Sequence, residues 1–275
     1  MSVTRNAERE SAAKKAAETI QQKLNVAVGE SPIGLVLGTG WGDVLDIKDS
    51  AEIPFGDIPG FERLGTLRGH NRRVVYGRLN GGPVLALRGR VHLNEAPHDP
   101  AIPTMVRLQI EMLLQLGVKT LLLTSAVGSL RREVQVGDII FADGFITLFA
   151  PQMPLWAGEF CSPEDALDEK LGNIAFEERG DLHVRTGGHA MVLGPFFEGR
   201  KYDKAILQNT GASVVGMSIL PEACIAALYD EVRVLALCFV TNTAHEAHSH
   251  EENLARAKKS QQLLGAYLAR IVSRL

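Results

Sequence analysis

Cysteine is scarce in this chain of 275 residues: Cys161, Cys224 and Cys238 are the only three, widely spaced and without a C-x-x-C pair. That argues against a disulfide framework and a structural zinc site, and it fits a reducing compartment. Long apolar runs are missing too. The most apolar segment, VRVLALCFVT, is too short to span a bilayer and carries Arg233. No charge is in surplus. With 29 Lys+Arg against 32 Asp+Glu, a formal net charge of −3, no global field draws nucleic acid or an anionic membrane, so any anion must be held locally. The first residues, MSVTRNAERESAAKKAAET, are charged and Ala-rich where a secretory signal needs an apolar core. No stretch rich in Gly, Pro or Ser divides the chain, and no repeat or low-complexity tract interrupts it. The expectation is a soluble, cytoplasmic protein folded as one domain over residues 1–275, with neither nucleic acid nor membrane among its partners.

What is present is a composition 45% hydrophobic, enough to bury a substantial core. Ala13, Ala16, Ile20 and Leu24 recur near helical spacing and predict a helix over residues 6–25, a cap on the core within segment 1–30. Short apolar runs then alternate with longer amphipathic ones. IGLVLG, RRVVYGRL, PVLALRG, KTLLLTSAVG, GDIIFADGFITL, HAMVLG, ASVVGMS and VRVLALCFVT read as strands. PTMVRLQIEMLLQLG, EGRKYDKAILQNTG, ILPEACIAALYD and HEENLARAKKSQQLLGAYLARIVSRL read as helices. The alternation from Thr104 onward points to an α/β fold with a central mixed, largely parallel sheet flanked by helices. Residues 150–182 read as the least regular segment, and such segments in compact domains are often functional or interfacial.

Two motifs can carry chemistry. LGTGWGDV spaces Gly38, Gly40 and Gly42 as G-x-G-x-G, with Asp43 where a dinucleotide fingerprint has its last glycine, and it lacks the Lys-Ser/Thr of a P-loop. What remains is a strand-to-loop turn whose backbone N–H groups and Thr39 hydroxyl suit one small oxyanion such as phosphate, although the same glycines serve equally in a plain turn. In LALRGRVHLNEAP, a strand carried through to His92 puts Arg88, Arg90 and His92 on one face. Arg90, bidentately, and His92 could then clamp an oxyanion; a solvated strand end is the alternative. LRGHNRR adds His70 among Arg68, Arg72 and Arg73, a solvated turn when read alone.

LGTGWG, the GH pair at 69–70, GRVHLNE, TSAVGSLRREVQVGDII, LGPFFEG, VGMSILPEA, FVTN and SHEEN occur in the order and spacing of the trimeric purine nucleoside phosphorylases. The chain resembles that family from about Gly34 to its C-terminus. The resemblance implies a nucleoside phosphorylase type of fold and a pentosyltransferase of purine salvage. Such an enzyme cleaves inosine, guanosine and their 2′-deoxy forms with inorganic phosphate, a co-substrate, to free base and (deoxy)ribose 1-phosphate, without metal or other cofactor. It implies a phosphate site from Thr39, His70, Arg90, His92, the backbone at Ala126, and Ser218. It implies a purine site from Glu198, Asn242 and Phe197, and ribose contacts from Met217, His250 and Asn94, with Phe160 supplied by the neighbouring subunit of a homotrimer. Asn242, Glu198 and His92 are the catalytic candidates. The chemistry agrees with this assignment. Cleavage pushes electron density into the leaving purine, which an amide donor near N7 stabilises, and a carboxylate accepts from the N1–H of a 6-oxopurine but finds no such hydrogen on adenine.

Three features depart from the family pattern. HLNEA replaces its HxYEG, so Asn94 stands where a tyrosine usually packs on the ribose. The loop after Asn242 is short and holds His245, His248 and His250, whose spacing lacks the carboxylate or cysteine that a metal site needs. TSAVGSLRREVQVGDII also resembles the 5′-methylthioadenosine phosphorylases, an alternative that the polar Glu198, Asn242 and His250 oppose. A nucleoside-binding homologue with weakened catalysis is the other alternative.

Overall fold

The apolar runs become strands of one sheet in a computed structural model that describes residues 2–41, 45–66, 72–96, 98–156, 158–192, 199, 201–244, 246 and 250–275, without the side chains of 2–6, 65, 66 and 250. The strands are β1 (Ile33–Leu37), β2 (Lys48–Pro54), β3 (Arg73–Leu79), β4 (Gly82–Arg88), β5 (Thr120–Ser129), β6 (Ile139–Ile146), β7 (Val184–Met191), β8 (Val214–Gly216) and β9 (Arg233–Thr243). Their order is β2-β3-β4-β1-β5-β8-β7-β6-β9, and β9 returns to pair with β5. The last five strands therefore close into a ring, from which β1, β4, β3 and β2 extend as an open wing.

Parallel pairings join β1 to β4 and β5, β5 to β9, β6 to β7, and β7 to β8. Antiparallel pairings join β2 to β3, β3 to β4, β5 to β8 and β6 to β9. The mixture follows from connection length. Gly82 follows Leu79 across a tight turn with Asn80 and Gly81 at positive φ, which permits only an antiparallel return, whereas the helical connections allow parallel crossovers.

The helices are α1 (Ser2–Leu24), α2 (Ala101–Gln115), α3 (Glu169–Glu177), α4 (Tyr202–Asn209), α5 (Leu220–Ala226) and α6 (His250–Val272). Side-chain alternation along the buried strands supplies two apolar faces. On one, Val36, Leu87, Leu121 and Leu123 pack with α1, α2 and α5 through Ile20, Ile110, Leu113 and Ile225. On the other, Leu35, Leu37, Leu122 and Leu235 meet α3 and α6 through Leu171, Leu264 and Tyr267. The first helix begins four residues earlier than its apolar spacing predicts, and α3 lies within the segment expected to be irregular. No described helix is long and apolar enough to cross a membrane.

Because β1, β4, β5 and β9 run parallel, their C-terminal ends share one rim of the sheet. Open α/β sheets bind ligands at that rim.

Candidate active site

The glycine turn after β1 is built by close approach. Gly38 N–H donates to the Thr124 hydroxyl of β5 at 2.9 Å, and Trp41 N–H closes the turn on Gly38 O at 3.0 Å. A Cβ at Gly38 would stand 2.5 Å from Thr124 O and 3.1 Å from Arg90 Nη2, so a side chain there is excluded. Gly40 has φ +86°, and its open face lies against Ala257 of α6. Trp41 is fully buried and donates from its indole to Ser125 O at 3.3 Å. The turn thus leaves Thr39 exposed at the rim, while Gly42 and Asp43 lie outside the described residues.

The expected common face of Arg88, Arg90 and His92 does not form. Strand β4 ends at Arg88, and Gly89 at φ +90° bends the chain, so alternation stops there. Arg88 turns to Leu45 O at 3.2 Å. Arg90, 3% exposed, runs inward under Gly38. Its Nη1 donates to Glu222 Oε1 of α5 at 2.7 Å, and its Nη2 to the carbonyls of Val36 and Thr124. The bidentate face expected for an oxyanion is therefore occupied by protein, and Nε–H is the one group of this guanidinium without a partner among the described residues. His92 stays half-buried at the rim, with its backbone N–H on Glu95 Oε1 at 2.7 Å.

Strand β8 delivers the next group. It runs antiparallel to β5, with Val215 opposite Gly128, so the chain beyond it passes back along β5. That brings Ser218 Oγ to 2.9 Å from Ser125 Oγ, next to Ala126. Ile219 follows at φ +76°, a conformation rare for a β-branched residue and of the kind that concentrates at functional sites. Met217, beside Ser218, accepts from Asn94 Nδ2 at 3.7 Å, so two candidate ribose residues from distant segments meet.

Asn242, next to last in β9, pairs with Gly128 of β5 just past a register shift between Val127 and Gly128. A Cβ on Gly128 would be 2.8 Å from Asn242 Nδ2, so glycine makes room for the amide across the strand. Thr241 Oγ1 donates to Asn242 Oδ1 at 3.0 Å and lies 3.2 Å from Val127 O. Thr241, Gly128 and Glu222 support the site, yet no sequence signal singles them out. Phe160 stands 93% exposed, beside Glu159, whose carboxylate is bound by Arg9 and Arg107 at 2.6 Å each. His70, Phe197, Glu198, His245 and His248 lie outside the described residues, as does the side chain of His250.

His189 of β7 is fully buried, with neither ring nitrogen hydrogen-bonded among the described residues. Burial first, and the Arg90 charge second, push its pKa down from 6.5 to about 4. The unfolded chain therefore takes a proton that the folded chain refuses, and stability is complete above about pH 6.5 and falls by about 3 kcal/mol as pH drops to 4. His189→Gln, which carries no titrating group, should flatten the decline of Tm over that range. Parallel Tm curves for the two proteins would refute the assignment.

Residues 32–273 match the phosphorylase superfamily. The chain is 32% identical to the purine nucleoside phosphorylase of Mycobacterium tuberculosis over 95% of its own length and 96% of the relative's. It is similar to isoform 2 of purine nucleoside phosphorylase from Schistosoma mansoni, solved with cytosine and ribose-1-phosphate, at TM-score 0.83, 29% identity and 96% coverage of both chains. It is also similar to the Schistosoma mansoni purine nucleoside phosphorylase solved with inosine, at TM-score 0.80, 27% identity and 96% coverage of both. This chain belongs to the phosphorylase superfamily and, within it, to the purine nucleoside phosphorylases.

Proposed function

We propose that the protein is a pentosyltransferase that phosphorolyses inosine, guanosine and their 2′-deoxy forms to free purine and (deoxy)ribose 1-phosphate. Phosphate at the rim attacks C1′ from the face opposite the base, and the bond to the purine nitrogen breaks with its electron pair leaving on the base. Positioning and electrostatics carry the rate, since no covalent enzyme intermediate is needed. In this reading Thr39, His70, His92, the backbone at Ala126, and Ser218 hold phosphate over the buried Arg90 charge. Met217, Asn94 and His250 hold the sugar, and Glu198, Asn242 and Phe197 the purine. One observation carries the proposal: the segments following β1, β4 and β8 meet the C-terminal half of β5, where Asn242 of β9 pairs with Gly128, with Gly38 on Thr124, Ser218 on Ser125 and Asn94 on Met217.

Phosphate is the sole co-substrate in this proposal, with no metal or organic cofactor. The protein is a cytoplasmic homotrimer, a reading supported by three free cysteines and by the large apolar surfaces of Phe160 (93% exposed) and Leu148 (84%). The assay uses EDTA-treated protein, with inosine or methylthioadenosine, with and without phosphate. Hypoxanthine should appear only with phosphate and inosine, from a species of three times 29.9 kDa. Release of base without phosphate, or turnover of methylthioadenosine alone, would overturn the reading.

A further inference from the structure

Past Gly89, whose N–H donates to Leu37 O of β1, the segment between β4 and α2 that carries Arg90, His92 and Asn94 pairs with no strand among the described residues, yet its peptide groups from Arg90 to His92 are bonded in succession by side chains. Arg72, 6% exposed, donates from Nε to Arg90 O at 2.7 Å and from Nη2 to Glu95 Oε1 at 2.5 Å. Gln109, fully buried on α2, accepts from Val91 N–H at 2.8 Å and donates to Val91 O at 3.2 Å. Glu95 then accepts from His92 N–H. A single amide that both accepts from and donates to one residue reproduces the double hydrogen bond of an antiparallel strand pair. It fixes Val91 in rotation as well as position, and Val91 lies between the two candidate phosphate residues.

We propose that Gln109, assisted by Arg72, is a positioning residue for phosphate capture: its two-point clasp of Val91 sets where Arg90 and His92 stand relative to the glycine turn. This rests on the reading that this rim holds phosphate. A packing residue needs no such pair of bonds. Leucine fills nearly the same volume, but it leaves the buried N–H and C=O of Val91 unpaired and free to seek other partners. Displacements of that kind, about 1 Å, cost up to about 10²-fold in rate when a reacting group is misplaced.

The experiment measures KM for phosphate, KM for inosine, kcat and Tm in Gln109→Leu, Gln109→Glu, Ile110→Ala and His92→Ala. Ile110 is a fully buried neighbour on α2 that serves as the packing control. Gln109→Leu should raise the phosphate KM by about 10-fold or more, whereas Ile110→Ala should lower Tm without moving that KM. Gln109→Glu keeps a test available if the leucine variant does not fold. A neutral carboxylic acid offers the same acceptor and donor as the amide, while a carboxylate cannot donate to Val91 O. Relative to wild type at each pH, its phosphate KM should be raised at high pH and recover as pH falls through the burial-raised pKa of the introduced carboxyl. A phosphate KM within twofold of wild type in Gln109→Leu, with His92→Ala raised, would overturn the positioning role and leave the site reading intact. A normal phosphate KM in His92→Ala would remove the site reading and the inference with it.

Discussion

Asn242→Ala should turn inosine over about 10²-fold more slowly or worse, with the loss in kcat rather than in KM for the nucleoside. Ground-state purine gives the amide little to stabilise, whereas the departing purine carries the electron pair of the broken bond. An interaction that strengthens only as the bond breaks acts on kcat. The geometry places the amide for that task at low cost. The register shift leaves Thr241 as the extra residue and sets Asn242 opposite Gly128, the absent Cβ of Gly128 leaves space for Nδ2, and the Thr241 hydroxyl engages Oδ1. Thr241→Val should therefore reproduce part of the loss, about 10-fold, since it removes the partner that orients the amide while sparing the amide itself. Steady-state kinetics over a range of inosine concentrations tests both. A kcat for Asn242→Ala near wild type would eliminate it as the leaving-group donor.

Much of the scaffold is legible because burial writes itself into composition. β1, β4, β5 and β9 are continuous apolar runs, as strands covered on both faces must be, and the predicted helices α2, α4, α5 and α6 are present. The misses have physical causes. β2 is an edge strand whose Lys48, Asp49 and Ser50 face water, so it shows no alternation to read. α3 is hidden by Gly172, which is needed because a Cβ there would stand 2.8 Å from the Phe141 ring, although the Asp168 cap accepting from Leu171 N–H was an available start signal. Ring closure depends on β9 returning to β5 and on β6 pairing with both β7 and β9, pairings between distant segments that local periodicity cannot encode.

The site divides in the same way. Residue types were legible: a hydroxyl in a glycine turn, basic groups after a strand, an amide at a strand end. Their partners were not. The direction of Arg90 depends on Gly89 adopting φ +90°, and glycine takes either sign of φ with equal ease, so strand alternation misled there. The acid that receives Arg90 lies 132 residues further on, in the PEA segment, where nothing marks a carboxylate as buried.

Glu222→Ala should destabilise the fold by about 3–5 kcal/mol, the usual cost of stranding one partner of a buried ion pair. Arg90 and Glu222 expose only 1% and 2% of their side chains, so water cannot enter to solvate the orphaned guanidinium. Replacing both by apolar groups, Arg90→Met with Glu222→Leu, should recover most of that stability, because the double variant desolvates no charge. It should not recover phosphorolysis. If the pair served packing alone, the double variant would regain activity along with Tm. If its charge is kept beneath the glycine turn for the phosphate dianion, Tm and phosphate KM should part, the first returning toward wild type and the second staying high. The two measurements on one double variant thus separate a charge retained for substrate from one retained for the fold, and recovery of both would leave Arg90 without a role in binding.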